Sequence, residues 1–138
     1  MVTVSKLLVP VDLDRDSSRV VDWGRMLADK CGASLHLLHV IGYPLANPEH
    51  EEAERGEACR RLELLMDRKD REARRATVAC EVGAAGPAII RYAIDNAIDL
   101  IVMGTHTHGP TFQMVSGSIA ESVVRGAPCA VLAVKDGA

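Results

Sequence analysis

Five short, almost wholly apolar runs, each separated from the next by a helix-like stretch, constrain this chain more than anything else in it. They are Val4–Val11, Ser34–Ile41, Thr77–Val82, Ile98–Met103 and Cys129–Val134. A strand apolar at nearly every position is covered on both faces, which is the pattern of a parallel sheet between helices. The connecting segments supply those helices. Asp16, Ser17 and Ser18 are N-cap residues, Val20, Gly24, Leu27, Ala28 and Cys31 recur at helical spacing, and Gly32 ends the run. Between Glu49 and Arg75 nine acidic and eight basic residues alternate around a thin apolar seam of Cys59, Leu62 and Met66, the pattern of a solvated helix. Gly86 and Pro87 open a third helix whose core face is read as Ile89, Ile90, Ala93, Ile94 and Ala97. A loop from Gly104 to Ser116 precedes a fourth helix, with Ser118 and Glu121 spaced as a capping box and Gly126 as its stop. Five strands alternating with four helices predict an α/β fold: one doubly wound, Rossmann-like parallel sheet forming a single domain over residues 1–138.

Composition narrows the function. A net charge of -3 and a pI near 5.9 exclude a general nucleic-acid binder, which needs a basic face. The apolar runs are strand-sized, so no membrane span is expected, and no basic region followed by a signal-type core opens the chain, so the expected location is cytoplasmic. Cys31, Cys59, Cys80 and Cys129 have no metal-type spacing and read as small core residues.

Ligands of such a sheet sit beyond the carboxyl ends of the strands, where the winding direction reverses. After strand one the chain reads Asp12-Leu13-Asp14-Arg15-Asp16, without glycine and with three carboxylates, so the glycine-rich dinucleotide loop is excluded. Asp12 has two readings here: an acceptor for an exocyclic amine such as that of adenine, or an acidic cap for the next helix. The loop after strand four holds Gly104 and Gly109, and Gly117-Ser118 falls where a helix N-terminus is expected, which together form a phosphate cradle. His106 and His108 stand at i, i+2 without a third ligand nearby and read as loop or phosphate contacts rather than a metal site. Ser118 has no base beside it and reads as a cap and phosphate ligand. His36 and His39 lie on opposite faces of strand two. A phosphoacceptor receiver domain shares the alternation, but strand three ends Glu81-Val82-Gly83 without the required aspartate.

Leu-Val-Pro-Val-Asp at 8–12, Leu-His-Val-Ile at 38–41, Asp-Leu-Ile-Val-Met-Gly-Thr-His at 99–106 and Gly-Ser-Ile-Ala-Glu-Ser-Val at 117–123 together resemble the universal stress proteins over essentially the whole chain. The resemblance implies a module binding ATP, with Mg²⁺ as an accompanying cation, and at most slow hydrolysis. It implies that Pro10, Val11 and Asp12 contact adenine or the ribose side, that Val40 offers main-chain groups, and that Gly104, Gly117, Ser118 and Ile119 surround ribose and phosphates. Met103, His106, Thr107 and Gly109 complete that candidate site. Where the family's glycine signature has its second glycine, this chain has Thr107, and no Lys or Arg lies between Gly104 and Ser118. The resemblance also implies a homodimer through the last strand; a nucleotide-free dimeric interaction protein of the same fold is the alternative function.

Overall fold

The computed structural model describes the chain except positions 43, 44, 46, 106–111 and 136–138, and for 112–118 the backbone alone. The elements run β1 (Lys6–Pro10), α1 (Ser18–Cys31), β2 (Ser34–Ile41), a 3-10 turn (Pro48–His50), α2 (Glu51–Leu65), α3 (Arg68–Glu72), β3 (Thr77–Val82), α4 (Ala85–Asp95), β4 (Leu100–Thr105), α5 (Phe112–Gly126) and β5 (Ala130–Lys135). All pairings are parallel and the strand order is β3-β2-β1-β4-β5, so the winding reverses between β1 and β4 and β5 forms an edge. The α/β expectation stands, with four helices of ordinary length.

Two cores lie on the two faces of the sheet, because successive strand side chains point to opposite sides. Leu7, Val9, Leu35, Leu37 and Val102 pack under α1 and α2 with Val21, Ala28 and Leu62. Leu8, Leu38, Ile101 and Met103 pack under α4 and α5 with Ile89, Ala93 and Val123. Helix α1 ends as its sequence dictates: Gly32 takes the left-handed conformation at φ 67°, and its N–H bonds the Ala28 carbonyl.

Several elements depart from the sequence pattern. The charged segment is not one solvated helix: it breaks at Met66-Asp67, where Asp67 and Asp70 form a reciprocal capping box that starts α3. Asp70 is fully buried and Arg74 nearly so. Asp70 accepts from Arg25 (2.7 Å) and Arg74 (2.6 Å), and Arg74 also bonds both oxygens of Asp29 at 2.9 Å. Burial alone would raise the Asp70 pKa, but the bonds from Arg25, the Asp67 N–H and Arg74 hold it below the ordinary carboxylate value. On α4, Tyr92 takes the core position, whereas Ile94 and Ala97 are exposed, since the helix ends at Asp95 and Ala97 turns out at φ 52°. Cys31 is exposed rather than buried, being the last residue of α1; Cys80 is buried, and Cys59 and Cys129 are half-buried.

The largest correction concerns α5. It begins at Phe112, not at Gly117, so Gly117 and Ser118 lie in its second turn and Ser118–Glu121 is not a capping box. Gln113, Met114 and Val115 sustain helix, and one interior glycine costs only about 1 kcal/mol. The unpaired N–H groups of this helix therefore start at Phe112.

Candidate functional site

Backbone pairing opens the site. Strands β1 and β4 pair only at Leu7↔Leu100 and Leu8↔Ile101, whereas β1–β2 pairing continues to Pro10↔Leu38 and β4–β5 pairing to Thr105↔Lys135. The sheet splits at its reversal point, and a cleft of about 310 Å³ fills the gap. That volume lies at the lower end of those that hold small ligands.

Apolar walls come from Pro10, Val11, Val40, Ile89, Met103 and Ile119, with Leu38 also contributing. Gly104 also lines it, and Asp12 with the exposed Asp14, Arg15 and Asp16 stands at its mouth. Of the residues singled out from sequence, Pro10, Val11, Asp12, Val40, Met103, Gly104 and Ile119 thus line one cavity. Gly117 and Ser118 precede Ile119 on α5. His106, Thr107 and Gly109 lie outside the described residues.

Val40 owes its position to strand alternation. The Leu38 carbonyl accepts from Val11 N–H at 2.7 Å, on the β1 side, and the Ile41 carbonyl accepts from Gly83 N–H at 2.9 Å, on the β3 side. Val40, in phase with Leu38, therefore turns its main-chain N–H and C=O toward β1, past the end of that strand at Pro10. A donor–acceptor pair of this kind matches the edge of a purine.

The mouth is built by local turns. Asp12 Oδ1 accepts from Asp14 N–H at 2.9 Å, and Ser17 Oγ donates to the Asp12 carbonyl at 2.8 Å. Asp16 Oδ1 takes the N–H of Ser18, the first residue of α1, at 3.0 Å. The side chain that binds the start of α1 is thus that of Asp16, and Asp12 holds the loop instead. The Ser18 N–H lowers the Asp16 pKa. Arg15 reaches Asp12 Oδ2 at 3.6 Å, an exposed pair of small energetic weight.

His39 also lines the cleft, a residue the sequence signalled only by its face on β2. Its Nδ1 lies 2.8 Å from the Val11 carbonyl, which can only accept, so Nδ1 carries a proton and donates it there. His36, on the other face, meets the Tyr92 hydroxyl at 2.7 Å. Among the described residues no group of three or more His, Cys, Asp or Glu side chains is arranged to hold a metal ion. No helix among them is long and apolar enough to cross a membrane. The Ser17 hydroxyl already donates to a carbonyl, so it is not paired with a base that would make it a nucleophile.

The family model described as the universal stress protein family matches residues 3–135. Universal stress protein A homolog 2 of Coxiella burnetii is 30% identical over 141 residues, covering 94% of each chain. The structure of universal stress protein UspA from Lactobacillus plantarum superposes with a TM-score of 0.76 at 24% identity, over 97% of this chain and 99% of that one. A universal stress protein solved in complex with cAMP matches at 25% identity and a TM-score of 0.65, over 96% of this chain and 97% of the other.

Proposed function

The chain belongs to the universal stress protein family, and from that premise we propose that it is a regulatory module that binds an adenine nucleotide, ATP in particular, in the β1–β4 cleft. The observation that carries this reading is the convergence of Pro10, Val11, Asp12, Val40, Met103, Gly104 and Ile119 on one cavity at the reversal point of the sheet. The base fits between the apolar walls, with the Val40 main chain on its edge and Asp12 accepting from the exocyclic amine. Gly104, Gly117, Ser118 and Ile119 bracket ribose and phosphates, with His106, Thr107 and Gly109 on the intervening segment. The relative solved with cAMP supports an adenine ligand for this fold. Magnesium would enter on the phosphates, shielding a charge that no Lys or Arg between 104 and 118 meets. Catalysis is at most slow hydrolysis, and the module acts in the cytoplasm.

A homodimer through β5 accompanies this reading. The strand is at the sheet edge with Val131 and Leu132 half-buried, so its unpaired backbone groups invite a second copy. The same edge favours the second reading, a nucleotide-free dimeric interaction protein.

Native mass spectrometry for co-purified nucleotide, followed by calorimetric titration with ATP, GTP and magnesium, separates the two. Asp12→Asn is expected to fold normally and to shift the preference between ATP and GTP, because the amide donates where the carboxylate only accepts. Thr107→Gly is expected to tighten ATP binding about ten-fold, or roughly 1.4 kcal/mol, by removing a β-branched side chain from the signature loop. A protein that binds no nucleotide in any of these forms, yet sediments as a dimer, overturns the first reading in favour of the second.

A further inference from the structure

Two cavities share one wall. The loop 12–17 faces the β1–β4 cleft on one side and, on the other, a second cavity of about 290 Å³ bounded by Val11, Leu13, Val21, Arg25, Arg61 and Leu65. Asp12, Arg15, Asp16 and Ser17 line both. A segment with space on each side is not fixed by close packing, so its position depends on the few contacts that cross to it. Inside the loop the bonds are local. The Asp14 N–H reaches Asp12 Oδ1 at 2.9 Å, and the Asp12 carbonyl accepts from the Arg15 N–H at 3.3 Å and from Ser17 Oγ at 2.8 Å. These make the loop a stiff turn that moves as a unit, but they do not set where it stands. Leu13 ties it to the rest of the fold. Its side chain packs against the core under α1 and α2, and its carbonyl accepts from the Arg61 guanidinium of α2 at 2.7 Å. The post from which Arg61 reaches is itself anchored. Leu65, one turn further along the same face of α2, gives its carbonyl to Arg25 of α1 at 2.8 Å, and Arg25 in turn is held by the buried Asp70 at 2.7 Å.

We propose that Arg61 is a positioning residue for the nucleotide cleft: its bond to the Leu13 carbonyl holds the 12–17 wall forward against the second cavity and so presents Asp12 to the ligand. Arg61 does not line the cleft and touches no ligand there; it acts through Leu13. Without the bond the wall can settle back into the space behind it, and only the fraction of molecules with the wall forward binds tightly. The apparent dissociation constant rises by the inverse of that fraction. The inference rests on the nucleotide reading above for its effect on affinity, whereas the tether itself is a property of the free protein.

The test compares Arg61→Met, Arg61→Lys and Arg60→Met with the parent, all as the full chain. Methionine keeps a long side chain and a good helix former but donates no hydrogen bond, whereas lysine keeps one donor. Arg60, exposed and paired with Glu57, removes the same charge from the adjacent position and serves as control. Amide exchange over 12–17 without nucleotide is expected to quicken in Arg61→Met alone, with the urea midpoint unchanged, and to return toward the parent rate in Arg61→Lys. In calorimetric titration the ATP dissociation constant should rise about five-fold in Arg61→Met, recover in Arg61→Lys and stay at the parent value in Arg60→Met. Unchanged exchange over 12–17 in Arg61→Met overturns the tether. Quickened exchange with unchanged ATP affinity overturns the positioning role, and equal weakening in Arg60→Met assigns the effect to charge instead of the bond. Failure of the parent itself to bind ATP counts against the nucleotide reading, while the exchange rates still decide whether Arg61 holds the wall.

Discussion

Adding one methyl group at Gly24 and at Gly56 should have opposite effects, and the seat of α1 on the sheet explains why. A Cβ built at Gly24 falls 2.4 Å from Val9 Cγ2, with Leu7 and Leu35 methyls at 3.6 and 3.7 Å closing the space around it. Ordinary contact needs about another ångström, and Val9 has no freedom to yield, being fully buried and held in β1. Helix α1 must therefore lift. Overpacking of this kind costs up to about 3 kcal/mol, and alanine's better helix propensity returns about 1 kcal/mol. The net expectation for Gly24→Ala is a loss of about 2 kcal/mol, or a fall in Tm of roughly 4–8 °C for a chain this long. At Gly56, on the exposed side of α2, a Cβ meets nothing within 4 Å. There the same substitution should add about 0.5–1 kcal/mol. Urea unfolding followed by circular dichroism, with thermal melts beside it, measures both. The lifting of α1 also displaces the 12–17 loop, so Gly24→Ala should weaken nucleotide binding while Gly56→Ala leaves it alone. A Gly24→Ala protein as stable as the parent would refute the claim that close helix–sheet approach requires glycine there.

Asp70→Asn should destabilise the fold by about 3–5 kcal/mol, because it leaves the Arg25 and Arg74 guanidinium groups without their buried counter-charge; equal urea midpoints for variant and parent would show the network to be dispensable. His36 should make stability pH-dependent. Burial, with a smaller contribution from Lys6, lowers its pKa from the ordinary 6.5. The unfolded chain therefore takes up the proton first, and stability is full above about 6.5 and is lost as pH falls through the lower folded value. His36→Gln should flatten that window while leaving the losses at more acid pH, where Asp29 and Asp70 titrate. Stability curves recorded across this range decide it, and an unchanged slope in the variant would remove His36 as the cause.

Local chemistry made much of this protein legible in its sequence. Continuous apolar runs such as Leu7–Val9 and Ile101–Met103 name strands buried on two faces, because a side chain that repeats its character at every position must be covered on both sides. Gly32 names the end of α1, because only a residue without a Cβ enters the left-handed turn freely. Parallel winding then led to the carboxyl ends of the strands, and so to Asp12 and Gly104, whereas Pro10, Val11 and Val40 came from the resemblance to the universal stress proteins. What depended on partners distant along the chain was not legible. Asp70 and Arg74 look like two more members of a solvated charge run, and only the approach of Arg25 and Asp29 from α1 buries and pairs them. The start of α5 at Phe112 was hidden because Gly117 reads as a start signal, although Gln113 and Met114 ahead of it are good helix formers and one interior glycine is tolerated. His39 likewise acquires its partner, the Val11 carbonyl, from the pairing of β1 with β2, a relation between segments that no local pattern encodes.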